Sequence, residues 1–239
     1  MTIIKKIAVF GDSILRGIQL NPQNNQYTVD NHIDVQRISR MFSVTINNYS
    51  KFGSTILKGQ KMLYHHLENN ADYDAVLMNY GGNDANFNWQ QVAMHPLDEH
   101  LPATPLQVFV KTYTEVVHKL KQMHITPILA TLPPMDAQKF FDWFCKDINK
   151  ENVLKWLGSV SGIYRYQENY SLMVEKIARQ AQVPLVDLRG AFLKYRRIDN
   201  LLCEDGIHPN TAGQKVISDA FLRFATQMAR CNRNQITFA

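Results

Sequence analysis

Two short segments near opposite ends of the chain carry residue types that could do nucleophilic chemistry. Ser13 closes a Gly-Asp-Ser turn at residues 11–13, directly after the apolar run Ile-Ala-Val-Phe. Residues 205–209 read Asp-Gly-Ile-His-Pro, which places Asp205 three positions before His208. A serine hydroxyl becomes a nucleophile when a histidine takes its proton, and a carboxylate holds that histidine in one tautomer. Ser13, His208 and Asp205 are therefore the candidate nucleophile, base and orienting carboxylate.

Each segment also has a structural interpretation. Asp12 and Ser13 are both favourable helix N-cap residues, and for this turn taken alone the cap is the better interpretation. The Asp-x-x-His-Pro segment can equally be an exposed turn before a capped helix. The catalytic interpretation therefore depends on a fold that brings the two segments together.

Five segments have the composition of strands, and helical segments lie between them. A strand followed by a helix, repeated five times, predicts a parallel sheet with helices on both faces. Right-handed crossovers favour a flavodoxin-like strand order, 2-1-3-4-5. Pro184 indicates that the fifth strand lies at an edge. We predict an α/β fold in which residues 1–239 form a single domain, with strands at 7–10, 44–49, 75–80, 127–132 and 183–188.

The connecting segments carry weaker signals. Residues 19–26 are rich in Asn and Gln and predict a surface loop, and residues 85–105 predict an irregular segment. Apolar residues at helical spacing predict helices at 33–42, 55–67, 106–123 and 211–228. Residues 135–180 predict further helices with many aromatic side chains. Because this region leaves the sheet after the fourth strand, we expect it to shape a substrate pocket, with Trp143 and Phe144 as candidate lining residues.

The carboxyl ends of parallel strands share one edge of a sheet, and three predicted strands end there in turn residues. Ser13 follows the first, Gly53 the second, and the Gly-Gly-Asn-Asp segment at 81–84 the third. Gly53 could instead adopt a positive φ in a turn, and Asn83 could be an ordinary turn residue. Acyl transfer needs hydrogen-bond donors for an oxyanion. The candidate donors are the backbone N–H groups of Ser13 and Gly53 and the side-chain amide of Asn83.

With these residues the chain resembles a GDSL-type, or SGNH, hydrolase. The matching segments are residues 11–13, Gly53, residues 81–84 and residues 205–209, in the family's order across nearly the whole chain. The resemblance implies a three-layer α/β/α fold and ester hydrolysis through an acyl-enzyme on Ser13, with no metal and no cofactor. Since the family includes lipases, lysophospholipases, thioesterases and carbohydrate deacetylases, the acyl and alcohol groups stay open. The aromatic helical stretch at 135–170 is longer than a minimal fold of this kind requires and is interpreted as an insertion.

Two other function classes compete with this hypothesis. A metal-dependent phosphoesterase could use Asp12, Asn83, Asp205 and His208 as ligands, but the segments at the strand ends hold too few histidines for a two-metal cluster. A flavodoxin-like binding module would not need the Asp–His pair, and the chain carries neither Gly-x-Gly-x-x-Gly nor a Walker-type loop. An acyltransferase with the same three residues stays open.

Composition limits the binding partners and the cellular compartment that we expect for the protein. The chain has 239 residues, 45% of them hydrophobic, and a formal net charge of +5. Its Lys and Arg residues are scattered, which favours a solvated surface over a nucleic-acid interface. Three widely spaced cysteines favour reduced thiols. With no signal peptide and no membrane span in the sequence, we expect a cytoplasmic enzyme that acts on a small-molecule ester, in an oligomeric state that the sequence leaves open.

Overall fold

The computed structural model describes residues 4–69 and 72–236, with side chains through residue 230. Its strands are β1 Lys6–Gly11, β2 Ile18–Asn21, β3 Gln26–Val29, β4 Thr45–Asn48, β5 Ala75–Asn79, β6 Thr126–Ala130 and β7 Leu185–Val186. Its helices are α1 Ser13–Arg16, α2 Val35–Phe42, α3 Ile56–Glu68, α4 Trp89–Met94, α5 Leu106–Gln122, α6 Ala137–Phe144, α7 Lys150–Leu157, α8 Ser161–Ala181, α9 Leu188–Leu193 and α10 Thr211–Ile236.

The main sheet has five parallel strands in the order β4-β1-β5-β6-β7. Counted by themselves in chain order, these strands stand 2-1-3-4-5, so the predicted α/β fold is confirmed. β1 lies between β4 and β5, with Val9 beside Asn48 on one side and Leu77 on the other. β7 is the last strand of the order, as Pro184 indicates. The central position of β1 places its carboxyl end in the middle of one edge of the sheet.

Alternate residues of each strand enter two separate cores, as the period of two along a strand requires. Phe10, Met78 and Leu129 pack with α3, α5 and α8 on one face. Val9 and Leu77 pack with α9 and α10 on the other face. The two cores give the three-layer α/β/α arrangement. No helix among residues 4–69 and 72–236 is long and apolar enough to cross a membrane.

The aromatic stretch forms a third core beside the sheet. α6, α7 and the start of α8 pack against α4, and rings such as Phe87, Trp89 and Phe144 lie in contact there. α4 lies inside the segment predicted to be irregular, so that prediction was wrong for these six residues. The helix begins where the Asn88 side chain accepts a hydrogen bond from the N–H of Gln91, a capping signal that the sequence contained.

The predicted surface loop at residues 19–26 was also wrong. β2 and β3 form an antiparallel hairpin in which Leu20 lies beside Tyr27. Asn25 takes a left-handed conformation in the turn, with φ of 53°. Each strand has four residues and β3 is exposed throughout, so the alternation that marks a half-buried strand is missing. The final helix also extends beyond the predicted residues 211–228, to Ile236.

The close approach of α3 to Tyr80 gives a stability prediction. A methyl group at Gly59 would overlap the ring of Tyr80, which is 1% exposed and has little room to move. Gly59→Ala should lower the free energy of unfolding by about 1–3 kcal/mol, although alanine favours helix more than glycine does. Urea denaturation measures the change. The control is Gly162→Ala in α8, where the nearest atom to a new methyl group is the Leu157 carbonyl oxygen at 3.4 Å. Equal stability changes in the two variants would contradict this account of Gly59.

Candidate active site

In the turn after β1, different residues take the two roles that the sequence left open, the helix cap and the candidate nucleophile. Asp12 is the N-cap of α1, because its Oδ1 accepts a hydrogen bond from the N–H of Ile14 at 2.9 Å. α1 ends after four residues at Gly17, which has φ of 77°. Since Asp12 caps the helix, the hydroxyl of Ser13 is free to contact another group at the edge of the sheet.

That group is His208. Its Nε2 lies 2.9 Å from Ser13 Oγ, and its Nδ1 lies 2.6 Å from Asp205 Oδ2. The backbone N–H groups of Ile207 and His208 each donate to Asp205 Oδ1 at 3.1 Å. Burial raises the pKa of Asp205, but the hydrogen bond and charge of His208 and these two N–H groups outweigh it, so the net pKa lies below the usual value. The structure thus brings the three predicted residues into one hydrogen-bonded chain.

The turn that carries His208 is held at its base and at its tip. The N–H of Cys203 donates to the carbonyl of His208 at 2.8 Å, which closes the turn. Gly206 has φ of 73°, and a methyl group there would lie 2.5 Å from the Asp136 carbonyl oxygen. The tip therefore needs glycine both for its conformation and for its close approach to α6. Cys203 and Cys145 are buried free thiols, whereas the side chain of Cys231 lies outside the described residues.

The predicted oxyanion donors lie on the neighbouring loops. Asn83 Nδ2 donates to Asp12 Oδ2 at 3.3 Å and to the Ser54 carbonyl at 3.2 Å. Gly53 lies between Ser54, which Asn83 holds, and Phe52, whose ring stacks on His208. Its φ is 65°, and a methyl group there would meet no atom within 4 Å. The positive φ requires glycine at this position, which is the alternative that the sequence offered for Gly53.

A small cavity of about 80 Å³ lies beside the candidate nucleophile. Ser13, Asn83 and His208 contribute its polar side. Its apolar side comes from α4, the end of β6, α6 and α8, and includes Phe87, Trp89, Leu132, Met135, Phe140 and Ile163. The cavity is mostly apolar with a few convergent polar groups, which is the usual composition of a ligand pocket.

Trp143 and Phe144 do not line this cavity. Phe144 lies one layer behind it and stacks on Trp89, with ring centroids 4.4 Å apart. Trp143 faces another direction, with its ring 6.4 Å from Tyr27 of the hairpin. Other residues of the aromatic stretch line the cavity instead. A role for Trp143 and Phe144 in substrate choice therefore stays a prediction.

Two aromatic side chains beside His208 were not predicted from the sequence. The Tyr27 ring lies 5.0 Å from the imidazole, and the Phe52 ring lies 5.9 Å away and nearly parallel to it. Tyr27 stands alone in a polar segment, so nothing in its surroundings marked it. Phe52 directly precedes the predicted Gly53, and that adjacency was the one signal available in the sequence.

Two buried carboxyl groups lie behind the site. Burial raises the pKa of Asp12 and of Asp84 to about 6. Both oxygens of Asp84 lie within 3.2 Å of the Ile56 backbone nitrogen, at the start of α3. The oxygens of Asp12 and Asp205 also accept hydrogen bonds within the protein, so these potential metal-binding oxygens are already engaged. Within the described part of the chain, no three His, Cys, Asp or Glu residues cluster as a metal site.

The fold, and the hydrogen-bonded residues at the edge of the sheet around Ser13, are those of a three-layer α/β/α hydrolase. Residues 9–216 match the GDSL-like lipase/acylhydrolase family, and the chain belongs to that family. A search of curated protein sequences finds no match. Membership of the family makes the protein a hydrolase of the esterase type.

Solved structures share the fold at low sequence identity. The lipase/acylhydrolase from Enterococcus faecalis is 20% identical with a TM-score of 0.64, and the match covers 92% of this chain and 94% of that one. LAE5, an enzyme from the metagenome of Lake Arreo in Spain, is 22% identical with a TM-score of 0.63, covering 93% and 95%. A catalytic mutant of Axe2, an acetylxylan esterase from Geobacillus stearothermophilus, is 19% identical with a TM-score of 0.62, covering 92% and 94%.

The raised pKa of Asp84 gives a pH-dependence prediction. Between pH 3.8 and about 6 the folded protein keeps a proton that the unfolded chain releases, so this group lowers the free energy of unfolding as pH rises. Asp84→Asn removes the titration and keeps an oxygen for the N–H of Ile56. The stability of the variant relative to the wild type should therefore increase by about 2 kcal/mol between pH 4 and pH 7. Urea denaturation at several pH values measures it, and a difference independent of pH would contradict the assignment.

Proposed function

We propose that the protein hydrolyses carboxylic esters through an acyl-enzyme on Ser13. The observation that carries the proposal is the position of His208, with Ser13 Oγ at 2.9 Å from one ring nitrogen and Asp205 at 2.6 Å from the other. His208 takes the hydroxyl proton as Ser13 attacks the ester carbonyl. Asp205 holds the imidazole in the tautomer that accepts this proton and stabilises the charge that forms.

The second half of the cycle uses the same groups in the reverse order. His208 gives its proton to the oxygen of the leaving alcohol, and the acyl group stays on Ser13. A water molecule then loses a proton to His208 and attacks the acyl-enzyme, which releases the acid and regenerates the serine. The same residues would support transfer to another alcohol, but no contact described above favours an acceptor other than water.

Three donors would stabilise the negative oxygen of the tetrahedral intermediate: the backbone N–H groups of Ser13 and Gly53, and the Asn83 amide. Both hydrogens of the Asn83 amide donate to protein groups, at 3.3 Å to Asp12 and 3.2 Å to Ser54, so one of these contacts is exchanged for the oxyanion during the reaction. Gly53 is held between two residues that contact the site, Phe52 and Ser54. Fixed donors of this kind are typically worth 10²–10³ in kcat each.

The cavity beside Ser13 supports a short acyl group. Its volume of about 80 Å³ is well below the roughly 300–1,000 Å³ usual for ligand pockets, which favours a small acyl group such as acetyl or propionyl over a long chain. The fold neighbour Axe2, described as an acetylxylan esterase, is consistent with an acetyl ester. Carbohydrate, lipid and other small alcohols all stay open as the second half of the substrate.

The competing phosphoesterase hypothesis receives less support. It requires Asp12, Asn83, Asp205 and His208 to bind a metal, but their polar atoms hydrogen-bond to one another, to Ser13 and to backbone groups. A metal would have to displace several of these hydrogen bonds to gain its ligands. The serine mechanism keeps the hydrogen bonds of Ser13, His208 and Asp205 as they are and exchanges only one contact of the Asn83 amide.

Labelling of Ser13 separates the serine mechanism from the metal mechanism. A phosphonate that mimics the tetrahedral intermediate should attach to the peptide that contains residues 11–13, because His208 makes that hydroxyl more nucleophilic than others. Ser13→Ala should take no label and lose roughly 10⁴-fold or more of the hydrolysis of p-nitrophenyl acetate. Exhaustive chelation should leave the wild-type rate unchanged. Loss of activity on chelation, restored by manganese or zinc and with no adduct on Ser13, would overturn the proposal.

The oxyanion role of Asn83 gives a separate kinetic prediction. Asn83→Ala should lower kcat by about 10²–10³ with little change in KM, because the donor acts on the transition state and not on the bound ester. The matched control is Asn152→Ala, which removes another amide that donates to a carbonyl, that of Ala93 at 2.7 Å. The control should lower stability and leave kcat unchanged. A rise in KM alone for Asn83→Ala would make that residue a substrate-binding group.

A further inference from the structure

Two aromatic side chains lie beside His208 and a third contacts one of them, and the proposed chemistry uses none of the three. Tyr27 lies 5.0 Å from the imidazole centroid and Phe52 lies 5.9 Å from it. Trp143 contacts this pair through Tyr27, with ring centroids 6.4 Å apart. We call Tyr27, Phe52 and Trp143 the aromatic platform.

The platform is assembled from three distant parts of the chain. Tyr27 belongs to β3, Phe52 to the loop after β4, and Trp143 to α6. Tyr27 is 38% exposed and Phe52 is 55% exposed, although their rings contact each other at 5.3 Å. Rings whose role was only to shield His208 would be buried, whereas these present faces to solvent. A cluster of exposed aromatic rings is typical of a binding surface.

The proton transfer from His208 indicates which part of the ester, the acyl group or the alcohol, lies against the aromatic platform. In the proposed mechanism His208 gives its proton to the leaving alcohol, so the alcohol must lie on the His208 side of the ester. The small cavity proposed for the acyl group reaches both Asn83 and His208, and Phe87 and Ile163 contribute to its apolar lining. None of the three platform residues lines that cavity. The acyl group and the alcohol therefore meet different surfaces.

The charges near the platform argue against a cationic alcohol. Aromatic rings attract cations, but Lys146 Nζ already lies 3.6 Å from the centroid of the Trp143 ring. Lys58 Nζ donates to the carbonyl of Gly53, next to Phe52. Burial and the charge of Asp205 raise the pKa of Tyr27, so its hydroxyl stays neutral. A neutral alcohol meets this surface without repulsion.

We propose that the aromatic platform is the subsite for the leaving alcohol, and that it selects a neutral six-membered ring over a flexible alkyl chain. The faces of Tyr27 and Phe52 offer flat contact area that a ring can match. A ring also has few rotatable bonds to immobilise on binding, whereas a chain of the same carbon number has several. The inference rests on the proposed ester hydrolysis and specifies the alcohol that this reaction releases.

Cyclohexyl acetate and n-hexyl acetate test the proposal, because they share the acyl group and the number of carbon atoms in the alcohol. The wild-type enzyme should have the higher kcat/KM for cyclohexyl acetate. Tyr27→Ala and Phe52→Ala should each reduce that preference by about two- to tenfold, the usual contribution of one aromatic pair. Tyr27→Phe should keep it, because the ring remains. The control is Tyr195→Ala, which removes another exposed tyrosine, after α9, and should not change the ratio.

The ratio of the two esters is measured within each variant, so a partial loss of folded enzyme cancels. Equal losses on both esters in Tyr27→Ala and Phe52→Ala would mean that the rings only support His208, and this result would overturn the proposal. A wild-type enzyme without preference for cyclohexyl acetate would overturn it as well. Ser13→Ala distinguishes a failure of the underlying chemistry: if that variant hydrolyses both esters at the wild-type rate, the proposed function fails first. If it is inactive while the wild type shows no ring preference, only the platform proposal fails.

Discussion

The hydrogen bonding of one buried imidazole is the interaction on which the rest of the site depends. His208 is 3% exposed, and each of its ring nitrogens has a partner, Ser13 on one side and Asp205 on the other. An imidazole buried without those partners would lose hydrogen bonds that water supplies in the unfolded chain. Ser13 and His208 are 195 positions apart, so their contact forms only when β1 is central and the last turn crosses the same edge of the sheet. The strand order therefore makes the site, and neither segment makes it alone.

The same edge carries groups that hold the site in place at a cost in stability. Asp12 and Asp84 are buried carboxyl groups with a raised pKa, so ionisation at neutral pH opposes folding. Their oxygens fix backbone groups at the starts of α1 and α3, and Asp12 also holds the amide of Asn83. Buried polar groups with defined partners are what keep reactive side chains in one geometry. The groups at this edge of the sheet thus fix the positions of the reactive side chains and lower the stability of the fold.

The sequence predicted the parts of the structure that have local signals. The five strands of the main sheet are apolar runs that end in turn residues, and their order follows from general rules of connection, so the α/β fold was predictable. The hairpin of β2 and β3 was not, because β3 is exposed and lacks alternation. Four of the site side chains, Ser13, Asn83, Asp205 and His208, stand in short sequence motifs. Tyr27 and Phe52 reach His208 only through the path of the folded backbone. Gly53 was predicted from its position at a strand end, and its left-handed φ is the structural alternative that its residue type offered.

A double-mutant comparison tests most directly whether Ser13 and His208 act as one unit. The rates of ester hydrolysis are measured for Ser13→Ala, His208→Ala and the variant that carries both changes. Since the base has no function without its nucleophile, we expect all three to retain the same residual rate, roughly 10⁴-fold or more below the wild type. A double variant whose loss equals the product of the two single losses would contradict the account, because the two residues would then contribute independently.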